Sequence, residues 1–153
     1  MLGADMADTG NNAILRLHST QGLDGETHQT DLNSTCCFEY TPDKVTIRYK
    51  ESGLDENNAP DTVITVLPRQ VVTIQRVGDF CMDLLLEEGV THRTAYSVPE
   101  GQIPLTIYTE KVRFHFDESG GMMLVRYSLD LNDMIHTTHS IRFLVEVHGD
   151  SQT

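Results

Sequence analysis

Basic side chains are scarce in this 153-residue chain: 11 Lys and Arg stand against 23 Asp and Glu, a formal net charge of -12. An acidic surface of that size repels phosphate backbones and anionic lipid heads, so neither nucleic acid nor a membrane surface is an expected partner. Long hydrophobic runs are also missing, and no stretch approaches the roughly 18 apolar residues of a membrane-spanning helix. The opening residues, MLGADMADTGNN, have neither a basic n-region nor an apolar h-region. Residues 1–12 therefore read as a flexible leader and the protein as cytoplasmic. Cysteine is limited to Cys36, Cys37 and Cys81. Adjacent Cys36 and Cys37 on a strand point to opposite faces, which suits neither a disulfide nor a shared metal.

Local catalytic signatures are lacking as well. The chain holds no Gly-x-Ser-x-Gly elbow, Gly-x-x-x-x-Gly-Lys loop, His-Glu-x-x-His pair or Cys-x-x-Cys. The sequence thus implies no cofactor and names no catalytic residue. His136 and His139 lie three apart, and on a strand that spacing sends the two rings to opposite faces, so no metal site is expected there. By parity with Ile141, Phe143 and Val145, His139 faces inward and His136 outward.

What is present is alternation with period two, almost from end to end. Segments near 13–20, 27–40, 45–50, 62–68, 71–77, 80–87, 92–98, 103–116, 122–131 and 135–148 each read as a strand. They are joined by short turns, with one long loop at 51–61 and no room for a crossover helix. Ten such segments predict an antiparallel all-β domain, either a sandwich or a meander closed into a barrel. Within 101–117, Ile103, Leu105 and Ile107 share one parity, whereas Val112, Phe114 and Phe116 have the other. A β-bulge near Thr109–Lys111 is therefore predicted. A four-residue loop at 117–120 sets Phe116 opposite Gly121 and brings Met123, Val125, Tyr127, Leu129 and Leu131 onto the Phe114/Phe116 face. In YSVPEG, residues 96–101, Pro99 presets a turn and Gly101 is suited to positive φ, so the stretch reads as a hairpin.

Arg76-x-Gly78, Met82, Leu86, Gly89, Tyr96, Gly101 and Thr109, at these spacings, resemble the YwiB-like family of small bacterial proteins of unknown function. Val98 stands where that family tends to have Thr, and Glu100 where an aromatic is usual. The resemblance implies a calycin-like, lipocalin-type up-and-down barrel of about 8–10 strands over residues 13–150. It implies no activity. The chain has no Trp, so the Gly-x-Trp signature of secreted lipocalins is missing.

Four polar residues are candidates for touching a ligand in an apolar barrel: Arg76, Tyr96, Tyr127 and His139. Arg76 shares parity with Val72 and Ile74, and an inward guanidinium could clamp a carboxylate bidentately. The turn after it decides its face. A two-residue turn at Gly78-Asp79 leaves Arg76 outside as an exterior ion-pair partner, and a three-residue turn brings it inside. The expected function is a non-enzymatic barrel holding a small, partly apolar molecule. The alternative is a protein–protein module acting through its acidic exterior or a homodimer contact. An enzyme with His92, His139 and Asp133 at the barrel mouth is a third reading.

Overall fold

A computed structural model describes residues 11–50, 61–77 and 82–148. Ten strands account for nearly all of them: β1 Ala13–Leu23, β2 Glu26–Thr41, β3 Lys44–Lys50, β4 Asp61–Leu67, β5 Val71–Val77, β6 Met82–Glu87, β7 Thr91–Val98, β8 Gly101–Asp117, β9 Gly120–Leu131 and β10 Ile135–Val147. All neighbours pair antiparallel in one ten-stranded sheet, ordered β6-β5-β4-β3-β2-β1-β10-β9-β8-β7. The first and last strands are thus neighbours, and the ring opens between β6 and β7. No helix among the described residues is long and apolar enough to cross a membrane. All of the predicted 51–61 loop except Asp61, which opens β4, lies outside the described residues, as do the Gly78-Asp79 turn, Phe80, Cys81 and most of the 1–12 leader.

The alternation seen in the sequence sets which side chains are buried. Ile64 and Val66 on β4, Val45 and Ile47 on β3, Leu84 and Leu86 on β6, and Leu105 and Ile107 on β8 all sit on the inner face. Each inner side chain of that size adds roughly 1.5–3 kcal/mol when fully buried. Cys36 is buried and Cys37 half-buried, as opposite faces of a strand require, and both are free thiols. Burial, with the Cys37 charge adding to it, pushes the Cys36 thiol up to about 11, so it stays protonated and unreactive.

β2 does the bending. Its first part, through Cys36, pairs with β1, and its last part, from Cys37, pairs with β3. The chain enters β1 through Asn12, the last residue of the expected leader. Its side chain is tied down: Oδ1 accepts the Phe38 N–H at 2.8 Å and Nδ2 donates to the Phe38 carbonyl at 2.9 Å. β1 runs past the expected end at residue 20, through Gly22, to a two-residue Asp24-Gly25 turn with both residues at positive φ. Gly22 permits that extension, since a Cβ there would stand 2.6 Å from Thr138 Oγ1.

The bulge falls where parity placed it, with the β8–β9 register shifting between Thr109 and Lys111. It lies at the opening of the ring, which backbone and side chains close together. Gly89 N–H donates to the Thr109 carbonyl at 2.8 Å, and Thr109 N–H to the Val90 carbonyl at 3.3 Å. One step along, the Glu88 carboxylate accepts the Val112 N–H at 2.8 Å, and Gln70 Nε2 reaches the Val112 carbonyl at 3.4 Å. A carboxylate stands in for a strand carbonyl at that point. The Val112 N–H and then Arg113 hold the Glu88 carboxyl below its ordinary range, which keeps it ionised for the task. The result is a nearly closed barrel.

Candidate functional site

Pairing in the ladders decides where each polar side chain points, because directly opposed residues share a face. Arg76 pairs with Thr62 on β4 and with Met82 on β6. Thr62 is 2% exposed and alternates in phase with buried Ile64 and Val66. Arg76 therefore lies on the inner face. Of the two faces that the sequence left open for Arg76, this register, in which Arg76 and Met82 are partners, takes the inner one. Tyr49 on β3 pairs with Thr62 in turn, giving an inner row of Tyr49, Thr62 and Arg76 across three strands.

A second inner row crosses β8, β9 and β10. Thr109 pairs with Tyr127, and Tyr127 with His139. The Tyr127 and His139 rings stack, with centroids 4.9 Å apart and planes 12° off parallel. His139 Nε2 shares a 2.8 Å hydrogen bond with Thr137 Oγ1. Burial, and then the neighbouring Tyr49 phenol, raises the Tyr127 phenol well above its ordinary range, so it stays protonated. That influence links the two rows. Burial lowers the His139 imidazole below its ordinary 6.5, favouring the neutral ring. His136 faces outward as expected and pairs with Asp130 at 2.6 Å.

The shift of His139 has a consequence for stability. A folded-state value below 6.5 means that the unfolded chain binds more protons between the two values. Stability then rises with pH through that window and is level above and below it. Denaturant titrations of the wild-type protein and His139→Phe at about pH 7 and about pH 5 are expected to show a steeper acid loss in the wild type. Equal losses would mean that the ring protonates without cost where it sits.

Thr109, read from sequence as part of the bulge and of the family resemblance, was not among the four candidate ligand contacts, and it is the most unusual group on the inner face. It is 0% exposed, and its hydroxyl has no hydrogen-bond partner among the described residues. A buried, unmatched hydroxyl costs roughly 1–3 kcal/mol. The signal that could have exposed it was its position at the end of the Leu105, Ile107, Thr109 parity run, directly before the bulge.

Of the remaining expected residues, Tyr96 pairs with Ile103 in the β7–β8 ladder, and its side chain lies outside what the structure describes. His92 bonds Glu87 at 3.2 Å, His139 bonds Thr137, and Asp133 is exposed at positive φ in the β9–β10 turn. These three share no hydrogen bond. Among the described residues no group of three or more His, Cys, Asp or Glu side chains could hold a metal ion.

An antiparallel ten-stranded barrel with a polar group set into an apolar inner wall defines the class of protein. The chain belongs to the family described as "Domain of unknown function (DUF1934)", which it matches over residues 15–143. In fold it is similar to the crystal structure of the YwiB protein from Bacillus subtilis, with a TM-score of 0.77 at 18% identity, over 94% of this chain and 98% of that one. No curated protein matches the chain. The resemblance carried by Arg76, Gly78, Met82, Leu86, Gly89, Tyr96, Gly101 and Thr109 is thereby upheld, for the family and for the barrel.

Proposed function

We propose that the protein is a non-catalytic cytoplasmic barrel that holds a small, partly apolar, carboxylate-bearing molecule against the inner polar group. The observation that carries this reading is the Thr109 hydroxyl, fully buried beside Tyr127 and unmatched among the described residues. A polar group kept at such a cost is explained if a guest molecule completes it. On the same inner face the chemistry suits one end of an amphipathic ligand. Inward Arg76 contributes positive charge that favours a carboxylate, neutral His139 and protonated Tyr127 supply hydrogen bonds without charge, and the aliphatic wall takes the apolar part. The free thiols of Cys36 and Cys37 agree with a reducing compartment.

The test is native mass spectrometry of small molecules retained by purified protein, run beside Thr109→Val. The substitution keeps the shape and removes the hydroxyl. It is expected to abolish retention while leaving the ligand-free protein as stable, or more stable by about 1 kcal/mol, because an unmatched group disappears. Wild-type protein that retains no molecule, or a variant that retains it equally well, would sink the reading.

A further inference from the structure

The outer face of β8, β9 and β10 carries a feature that the inner ligand does not explain. A groove of about 390 Å³ crosses it, open to solvent, with Tyr127 and His139 also in its lining. That volume lies within the range of small-molecule sites, roughly 300–1,000 Å³. Register fixes its lining. Gly22, Thr138, Ser128 and Tyr108 form one outward row across β1, β10, β9 and β8, and Ser140 and Arg126 form part of the next. The hydroxyls of Thr138, Ser128 and Ser140 make no hydrogen bond among the described residues. Gly22 keeps the first of them open, since a Cβ at that position would stand 2.6 Å from Thr138 Oγ1.

The charge around the groove runs against that of the protein. Four of the chain's 11 Lys and Arg residues, Lys111, Arg113, Arg126 and Arg142, fall in two adjacent outward rows of β8–β10. Lys111 stands directly opposite Arg126, an arrangement that repels unless an anion lies between or beside the two. Arg113 is held by Glu88, and Lys111 also lies in the field of that carboxylate. Arg126 and Arg142 pair with no carboxylate among the described residues. Two exposed cations elsewhere have carboxylate partners, Arg16 with Glu146 and Lys50 with Asp61. Glu110, the bulged residue, also lines the groove, without coming within ion-pair distance of Arg126.

We infer that this outer groove binds a small phosphorylated molecule. The phosphoryl oxygens meet the Arg126 guanidinium and the Ser128, Thr138 and Ser140 hydroxyls, and the rest of the molecule lies along Tyr108. A guanidinium flanked by hydroxyl donors matches a tetrahedral oxyanion, and the Tyr108 ring, 45% exposed, offers a flat wall for a sugar or base. The net charge of -12 keeps long polyanions such as RNA away, so the ligand is small. The site is separate from the inner one, because the two lie on opposite faces of β9 and β10.

The experiment is calorimetric titration of the whole chain with inorganic phosphate and with ribose 5-phosphate, using wild type, Arg126→Gln, Thr138→Val and Thr109→Val. Both probes are expected to bind saturably at millimolar concentration or below, the sugar phosphate more tightly. Arg126→Gln should weaken binding about tenfold or more and Thr138→Val by less, while Thr109→Val leaves it unchanged. Arg126 is exposed and Thr138 lies on the solvent side, so unchanged melting curves are expected for both. Absence of saturable binding in the wild type overturns the inference. So does binding that Arg126→Gln and Thr138→Val leave intact, which would place the anion elsewhere. Loss on Thr109→Val would assign the effect to the inner site instead.

Discussion

Gly121→Ala is expected to lower the stability of the protein by about 2–6 kcal/mol, the sum of a strained φ (about 1–3 kcal/mol) and forced overpacking (about 1–3 kcal/mol). Gly121 has φ 153, and a Cβ built there would stand 2.0 Å from the His115 carbonyl oxygen and 2.7 Å from Phe116 Cα. Backbone cannot swing aside as a side-chain tip can. Gly121 also opposes Phe116 in the β8–β9 ladder, with the Phe116 ring laid across it. The hairpin must therefore slip or splay, and a one-residue slip would exchange the faces of Tyr127 and Arg126. Gly120→Ala meets the same obstacle on the other side, where its Cβ would stand 2.1 Å from the Val145 carbonyl oxygen. Urea denaturation measures both, and a loss below about 1 kcal/mol for Gly121→Ala would show that the β8–β10 spacing is not what the structure gives.

Phe143→Ala is the second large effect, an expected loss of about 3–5 kcal/mol. Phe143 is 1% exposed and is among the largest fully buried side chains of the barrel. It pairs with Leu17 on β1 and Met123 on β9, so its ring fills the wall where the first and last strands meet. Strands on either side hold their spacing through the ladder, so the space left by a deleted ring cannot collapse fully. Phe114 provides the internal comparison. It stacks on Phe116 at 6.3 Å but is only half-buried, and Phe114→Ala should cost clearly less. Equal midpoints for the two variants would contradict the burial difference. Since a domain of this size has a total stability of about 5–15 kcal/mol, Phe143→Ala is expected to leave a marginal protein.

The sequence by itself determined everything that depends on alternation within a strand or across a short turn. The ten strands, the bulge between Thr109 and Lys111, the pairing of Phe116 with Gly121, and the opposite faces of His136 and His139 all follow from period two. A side chain has only two faces to choose between, and its neighbours two residues away reveal which one. Arg76 escaped that logic because its parity agreed with Val72 and Ile74, yet the turn to β6 could be read at two lengths. Only the pairing of Arg76 with Met82 fixed it on the inside. The tertiary structure alone decided which strands without a shared turn become neighbours. It joined β1 to β10, opened the ring between β6 and β7, and closed that opening with the Glu88 carboxylate. It also brought Tyr49 within electrostatic reach of Tyr127, left the Thr109 hydroxyl without a partner among the described residues, and set Arg126 among the hydroxyls of β9 and β10. Each of these arises from strands meeting across the barrel or across a ladder far apart in the chain, and one-dimensional alternation holds no information about such meetings.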